Sequence, residues 1–245
     1  MPRPDGRRND QLRSVRLIPH FQSSPAGSVL IEAGGTRVAC AVSVDLKVPG
    51  WLAGRGKGWL TAEYGMLPGS SPQRIARPLQ KPDGRATEIQ RLIGRSLRAM
   101  VDLDRLGEVL LQVDCDVIDA DGGTRTAAIT GAAVAVVLAL QHTRQAGGLP
   151  AATALPVRGL VAAISVGLVD GEVRLDLPYA EDSRAAVDCN LVMTEAGELI
   201  ELQATAEHGS FGRATLDEFL RVGEAGIRQL FAQQRALLAA EGVTL

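Results

Sequence analysis

The sequence has few aromatic residues. Phe, Trp and Tyr together make up only 3% of the chain. Proteins that hold single-stranded nucleic acid by base stacking need several exposed rings, so this mode of binding is disfavoured here. Hydrophobic residues nevertheless reach 46%, which is enough for a core built from Val, Leu, Ile and Ala. A chain of 245 residues with this content is expected to be globular, as one large domain or two small ones.

Cysteine and histidine are also scarce. Cys40, Cys115 and Cys189 are odd in number, far apart and each within an apolar or strand-like run, which predicts buried free thiols. The three histidines show no metal-ligand spacing. The longest apolar run, residues 131–140, is too short to span a bilayer, and the N-terminus lacks the apolar stretch of a signal peptide. We therefore expect a cytoplasmic protein that does not contact a membrane.

Charge is distributed unevenly along the chain. Only three of the 26 basic residues are lysine, so the positive charge is carried by arginine. Residues 1–100 have a net charge of +9, and residues 101–245 have a net charge of −11. An arginine-rich half suits a polyanionic partner, and an acidic half suits metal binding or a solvated surface. A biased genomic base composition explains the preference for arginine equally well.

The hydrophobic pattern predicts an α+β protein. Strands are expected at residues 28–33, 36–44, 59–64, 108–118, 157–169, 172–177, 187–194 and 198–206, after an arginine-rich N-terminal arm. Helices are expected at residues 85–101, 124 to about 146, and 213–240. The second half repeats the strand-then-helix order of the first. We therefore expect two similar lobes, residues 1–148 and 149–245, with helices packed on mixed sheets in one compact unit.

Residues 121–126, Asp-Gly-Gly-Thr-Arg-Thr, join a predicted strand to a predicted helix. Glycines allow the backbone to approach a ligand, and the first N–H groups of a helix attract anions. Thr124 adds a hydroxyl, and the planar guanidinium of Arg125 fits two phosphate oxygens. An ordinary helix start, with Thr124 as its cap and Arg125 in water, accounts for the same residues. Arg85, at the start of another predicted helix, could stand beside Arg125 as a second anion-facing arginine.

Residues 65–84 form a proline-rich segment without a regular period. It carries Arg74, Arg77 and Lys81 and has no acidic residue before Asp83. Loops of this length are uncommon in compact proteins and are usually functional or disordered. We favour a basic loop that grips a polyanion over a merely solvated connection.

Asp182 and Asp188 are candidate metal ligands. On one extended strand they would lie about 20 Å apart, so only a tight turn between them could bring the carboxylates together. Two such carboxylates, completed by substrate phosphate, match the usual binding of Mg²⁺. Alone, the pair is better explained as a turn cap and a solvated strand-start acid. In combination with a phosphate cradle and a basic loop, it indicates phosphoryl-transfer chemistry.

Several blocks of sequence point to one family. They are Arg-Pro-Asp-Gly-Arg at residues 3–7, Gly-Trp-Leu-Thr-Ala-Glu-Tyr-Gly-Met-Leu-Pro at 58–68, residues 88–93, residues 114–130 around the Gly-Gly-Thr-Arg turn, Glu-Asp-Ser at 181–183 with Asp188 and Asn190, and Val-Met-Thr-Glu at 192–195. In these blocks, and over essentially its whole length, the chain resembles bacterial ribonuclease PH.

The resemblance implies a phosphate-dependent 3′-to-5′ exoribonuclease that trims precursor tRNA. Such an enzyme releases nucleoside 5′-diphosphates and, in reverse, adds nucleotides from them. The resemblance further implies a Mg²⁺ requirement, inorganic phosphate as co-substrate, the two-lobed ribonuclease PH fold and a homo-hexamer built as a trimer of dimers. A hydrolytic metal-dependent nuclease and a non-catalytic RNA-binding ring subunit are the two alternatives. The phosphate cradle argues against hydrolysis, and the presence of both sites argues against a scaffold.

The resemblance also implies roles for individual residues. The phosphate site corresponds to Arg85, Gly123, Thr124 and Arg125, and the catalytic, metal-binding carboxylates correspond to Asp182 and Asp188. RNA binding is assigned to Arg74 and Arg77 of the basic loop and to Arg3 and Arg7 of the N-terminal arm. Gly69 stands where many relatives have an arginine, which predicts that RNA contacts shift toward the N-terminal arginines.

Overall fold

Two β-sheets with helices between and beside them form the part of the chain that the computed structural model describes, residues 3–76, 84–149, 154–207 and 209–245. The strands of the first sheet are β1 Val15–Pro19, β2 Gly27–Ala33, β3 Thr36–Asp45, β4 Trp59–Met66 and β5 Leu110–Asp119. Their order is β1-β2-β3-β5-β4. Only β4 and β5 pair in parallel among these neighbours, so the sheet is mixed, as expected.

Three helices accompany this sheet, α1 Gly84–Met100, α2 Leu103–Leu106 and α3 Thr124–Gln145. The apolar stripe of α1, which includes Ile89, Ile93 and Leu97, is buried. The arginines on its other face are not all solvated. Arg98 donates to the carbonyl of Leu60 at 3.0 Å, and its guanidinium lies 5.0 Å from the ring centre of Trp59.

The second sheet contains β6 Val161–Val169, β7 Glu172–Leu175, β8 Val187–Thr194 and β9 Leu199–Ala206 in the order β7-β6-β8-β9. Its pairings are all antiparallel, so the expectation of mixed sheets holds only for the first sheet. A short helix, α4 Tyr179–Asp182, lies between β7 and β8, and the long helix α5 Arg213–Ala240 follows β9.

Helix α3 is the central element of the fold. By length and composition alone it could cross a membrane, but 89% of its apolar window is buried inside the protein. The hydroxyl of Thr130 accepts from the backbone N of Ala163 in β6 at 3.1 Å. The amide of Gln234 in α5 donates to the backbone oxygens of Thr130 and Val161 at 2.9 and 3.0 Å. These bonds satisfy buried polar groups where the two sheets meet across α3, which makes it a core helix.

The α+β class and the arrangement of two strand-rich lobes are confirmed. The three cysteines are free and buried, also as expected. The boundary after residue 148 stays a prediction, and residues 150–153 of the predicted connector lie outside the described residues. The sequence pattern did not predict the short helices α2 and α4, because four residues carry barely one helical turn of hydrophobic pattern.

Candidate active site

The turn between β5 and α3 is built on two glycines in the left-handed region. Gly122 has a φ of +72° and Gly123 a φ of +66°, which side chains rarely tolerate. A Cβ on Gly122 would also collide with the backbone oxygen of Leu177. The hydroxyl of Thr36 donates to the carbonyl of Gly122 at 2.7 Å and accepts from the backbone N of Asp121 at 2.9 Å. The turn is therefore held by Thr36 of β3 and packs closely against the segment that follows β7.

Thr124 does not cap α3. The N-cap is Gly123, without a side-chain capping bond, so Thr124 is the first residue of the helix and the cap interpretation was wrong. Its Oγ1 lies 2.8 Å from the hydroxyl of Tyr64 on β4, and both groups are buried. Burial raises the pKa of Tyr64, so this hydroxyl stays protonated at neutral pH. The Tyr64 contact fixes the Thr124 hydroxyl at the start of the helix.

Arg125 turns toward neighbouring elements rather than into water. Only 17% of its side chain is exposed. Its Nη1 donates to Oε1 of Glu88 on α1 at 3.3 Å and to Oε1 of Gln203 on β9 at 3.0 Å. These partners come from both lobes, so they place the guanidinium where the lobes meet.

Arg85, the second residue of α1, acts electrostatically on the same groups as Arg125. Its positive charge and that of Arg125 both act to lower the pKa of Tyr64 and the pKa of Asp182. The structure therefore brings the two predicted phosphate-binding arginines to one place, although they lie 40 residues apart in the sequence. Two guanidinium groups near a helix N-terminus form an anion-binding environment.

The two predicted carboxylates also converge. Asp182 is the last residue of α4, and Asp188 is the second residue of β8, after the tight turn that their spacing required. Partial burial, then the charge of Asp182, raise the pKa of Asp188 to about 6, against the opposing effect of Arg125. Partial burial raises the pKa of Asp182 as well, although Arg85 and Arg125 act in the opposite direction. Asn190 donates to Oδ2 of Asp188 at 3.3 Å.

Asp182 and Asp188 fit a Mg²⁺ site that substrate and water complete, but not a site made of protein ligands alone. Among the described residues there is no group of three or more His, Cys, Asp and Glu side chains that could enclose a metal ion. Burial raises the pKa of both carboxylates, and the charge of Asp182 adds to this effect at Asp188, so a divalent cation would stabilise their ionised forms. Mg²⁺ is typically bound by one or two carboxylates together with water and substrate phosphates. The donor set fits that arrangement and does not fit an all-protein cage.

Two of the predicted RNA-binding arginines point inward. The side chain of Arg3 is fully buried, forming an ion pair with Glu181 at 2.7 Å and donating to the backbone oxygen of Leu175 at 2.8 Å. Arg7 is 9% exposed and pairs with Asp5 at 2.7 Å and Asp176 at 3.7 Å. The structure therefore does not support the assignment of Arg3 or of Arg7 to RNA binding, because their donors are committed to protein acceptors.

The other two predicted RNA-binding arginines, Arg74 and Arg77, belong to the basic loop. Arg74 is exposed and remains available to a polyanion. Arg77 lies outside the described residues, so its assignment stays a prediction.

Two buried acidic residues next to the site, Glu181 and Asp176, were not predicted to be buried from the sequence. Glu181 precedes Asp182 and is fully buried between Arg3 and Arg174, with an Oε1 to Nη1 distance of 2.8 Å to the latter. Asp176 is buried and pairs with Arg13 at 2.6 Å. The only available signal was the run of charges in Glu-Asp-Ser, because nothing local reveals that a charged residue will be buried.

Comparison with known proteins identifies the family. Residues 11–144 match the model of the 3′ exoribonuclease family, domain 1, and residues 159–228 match that of domain 2. Ribonuclease PH of Syntrophomonas wolfei is 54% identical over 240 residues, covering 97% of this chain and 99% of that protein. Ribonuclease PH of Corynebacterium glutamicum is 54% identical over 236 residues, covering 96% and 95%.

The chain belongs to the ribonuclease PH family. It is accordingly a phosphorolytic 3′-to-5′ exoribonuclease, a nucleotidyltransferase of tRNA processing, as the sequence blocks indicated. The ribonuclease PH fold is also seen in rice Rrp46, with a TM-score of 0.77 at 22% identity over 96% of this chain and 100% of that one. A chain of the Archaeoglobus fulgidus exosome, solved with RNA bound to the active site, has a TM-score of 0.76 at 23% identity over 94% of this chain and 91% of that one. At these identities the likeness shows the fold alone.

Proposed function

We propose that inorganic phosphate, bound by Arg85, Arg125, Thr124 and the backbone N–H groups after Gly123, attacks the terminal phosphodiester of RNA in line. The released product is a nucleoside 5′-diphosphate, and the substrate class is the 3′ end of precursor tRNA. The observation that carries this assignment is the convergence of the two half-sites. Arg125 acts electrostatically on both Asp182 and Asp188, so the anion-binding turn and the carboxylate pair are close enough to act on one substrate.

The phosphate half is preorganised by the fold. The glycine turn is held by Thr36, and Thr124 is held by Tyr64, so neither has to rearrange when phosphate arrives. Arg125 needs to exchange only its bonds to Glu88 and Gln203 for bonds to phosphate oxygens. Fixed donors aimed at a negatively charged reactant supply most of the rate enhancement in phosphoryl transfer.

Asp182 and Asp188 would hold Mg²⁺. When bound, the ion supplies charge neutralisation for the departing 3′ oxygen and the reacting phosphoryl group. The protein contributes two half-buried carboxylates, and Asn190 orients one of them through its bond to Oδ2 of Asp188. No side chain is required as a nucleophile, because the attacking atom is an oxygen of inorganic phosphate.

Phosphorolysis is favoured over hydrolysis by the anion-binding turn itself. A hydrolytic enzyme activates water and does not need two arginines and a helix N-terminus beside its carboxylates. Phosphorolysis also exchanges a phosphodiester for a diphosphate bond of similar energy. The reverse reaction, addition of nucleotides from nucleoside diphosphates, is therefore accessible on the same site.

We further propose that the chain assembles as a hexamer, a trimer of dimers, in the cytoplasm. The described surface includes apolar side chains that subunit contacts would cover, among them Trp51 at 57% exposed and Leu46 at 59% exposed. Size-exclusion chromatography with light scattering tests the assembly, and a monomer at micromolar concentration would contradict it.

The reaction is tested with RNA carrying a label in its 3′-terminal nucleotide, incubated with Mg²⁺ in the presence and absence of inorganic phosphate. We expect release of nucleoside diphosphate only when phosphate is present, and nucleotide addition when diphosphates are supplied. Release of nucleoside monophosphate without phosphate would replace the proposal with hydrolysis. Absence of any release, with RNA binding retained, would favour a scaffold subunit.

A further inference from the structure

Arg13 is a buried residue that bonds both to the proposed phosphate-binding turn and to the segment that leads to Asp182. Its backbone N donates to Oδ2 of Asp176 at 2.8 Å, and its Nη2 donates to Oδ1 of the same carboxylate at 2.6 Å. Its Nη1 donates to the backbone oxygen of Asp121 in the phosphate-binding turn at 2.5 Å. The side chain is only 5% exposed. One guanidinium therefore joins the phosphate-binding turn to the segment that follows β7.

The backbone at Asp176 is constrained, and this residue lies six positions before Asp182. It has a φ of +54°, in the left-handed region that non-glycine residues adopt only when the surroundings enforce it. Besides the bonds from Arg13, its backbone N donates to the carbonyl of Ser165 in β6 at 2.8 Å, and the Ser165 hydroxyl accepts from Leu177 at 3.1 Å. The chain entering α4 is thus constrained immediately before the helix that ends at Asp182.

Asp121 makes a second and more direct connection. Its Oδ1 accepts from the backbone N of Tyr179, the first residue of α4, at 3.1 Å. Its Oδ2 lies 4.0 Å from Nη1 of Arg13. The backbone of Asp121 is therefore part of the phosphate-binding turn, while its side chain is bonded to the start of α4. Arg13 contacts both its backbone oxygen and its carboxylate.

We propose that Asp121, supported by Arg13, is a positioning residue that sets the separation between the phosphate-binding turn and the Asp182 carboxylate. The inference rests on the proposed function. Asp121 acts through Thr124 and Arg125 on one side and through Asp182 on the other. In-line attack requires the phosphate and the carboxylate pair to be aligned within a fraction of an ångström, and small displacements reduce rates strongly.

The test compares Asp121→Ala with Asp121→Asn in the full chain. Both variants lack the negative charge, and only Asn keeps a side-chain oxygen for the backbone N of Tyr179. We expect the Ala variant to need on the order of tenfold more phosphate and more Mg²⁺ for half-maximal rate than the Asn variant. The Asn variant should remain near wild type in both quantities. Thermal unfolding midpoints are recorded for each protein.

Arg16→Ala is the matched control, since Arg16 is 68% exposed and pairs only with Glu32 across β1 and β2 among the described residues. It should leave both half-saturation values unchanged. Equal kinetics of the Ala and Asn variants would overturn the proposal. So would a lower unfolding midpoint with unchanged phosphate and Mg²⁺ requirements, since that indicates a purely structural role. A rise in only one requirement would also overturn it, because Asp121 would then not couple the two half-sites.

If Asp121→Ala does not fold, Arg13→Lys provides the second comparison. Lysine keeps a positive charge for Asp176, but it lacks the planar fork that reaches Asp176 and the carbonyl of Asp121 together. The same paired rise is expected, and unchanged requirements would overturn the proposal. The wild-type reaction separates the two hypotheses. A wild type that ignores phosphate contradicts the proposed function, whereas a phosphate-dependent wild type with an indifferent Asp121 contradicts only the positioning role.

Discussion

Asp188 lies beside Asp182, and partial burial together with the neighbouring negative charge raises the pKa of Asp188 to about 6. The two residues belong to different elements, β8 and α4, which a tight turn brings together. Like-charged groups in a partly buried site weaken the metal-free protein and at the same time prepare it to bind a cation. This relationship leads to the first two predictions.

Asp188→Asn should stabilise the metal-free protein at pH 7.5. The folded pKa of Asp188 lies above the ordinary value of 3.8 for an aspartate, so the folded state favours the protonated form. The stability linked to this group is fully present below about pH 4 and is lost as pH rises through about 6. The variant does not suffer this loss. Thermal unfolding in a chelator should give a higher midpoint for the variant above pH 6, with the difference disappearing near pH 4.

The same substitution should stop turnover without abolishing RNA binding. Asn retains one oxygen but loses the charge that would hold Mg²⁺, whereas the RNA-binding arginines are untouched. Turnover is measured as nucleoside diphosphate release, and RNA affinity as fluorescence anisotropy of a labelled RNA. An Asp188→Asn enzyme with wild-type turnover would remove Asp188 from the metal site.

Arg125→Ala should raise the phosphate requirement steeply. Loss of one charged donor from a preorganised anion site costs about a hundredfold in kcat/KM for phosphate. Arg125→Lys should recover only part of this loss, because lysine lacks the planar fork. The half-saturating RNA concentration should change little. Initial rates at varied phosphate check this, with Arg228→Ala on α5 as the exposed control. A variant with normal phosphate kinetics would contradict the assignment.

Glu181→Gln should destabilise the protein by about 3 kcal/mol, because it leaves the buried guanidinium of Arg3 without its counter-charge. Arg174 loses one partner but keeps its ion pairs with Asp170 and Glu172. Urea unfolding at a fixed protein concentration measures the change. The control is Glu218→Gln, whose partner Arg221 is 68% exposed, and little change is expected there. Equal effects of the two substitutions would show that burial does not strengthen the first ion pair.

Arg74→Ala should weaken RNA binding and reduce its salt dependence. Each arginine that neutralises a phosphate contributes about one unit to the slope of log affinity against log salt concentration. Anisotropy titrations over a range of salt concentrations check the slope, with Arg228→Ala as the control. An unchanged slope would show that Arg74 does not contact the RNA backbone, and the neighbouring Arg77 would then be tested in the same way.

Much of the fold could be predicted because its signals are local. The alternation of apolar residues along β5, the apolar stripe of α1 and the continuous apolar run of α3 each fall within one stretch of sequence. Glycines at residues 122 and 123 marked the turn correctly, since positive φ values favour that residue. Four-residue helices such as α4 could not be predicted from periodicity.

The sequence by itself determined the α+β class and the order of the main elements, and it supplied the candidate residues for phosphate and metal binding, which stay predictions. Only the tertiary structure decided which charges are buried. Arg3 and Glu181 form a buried ion pair although 178 positions separate them. Arg13 donates to the backbone oxygen of Asp121, in the turn before α3 and 108 positions away. Local pattern carries no information on such pairs, because the free energy of burying a charge depends on partners that only chain folding supplies.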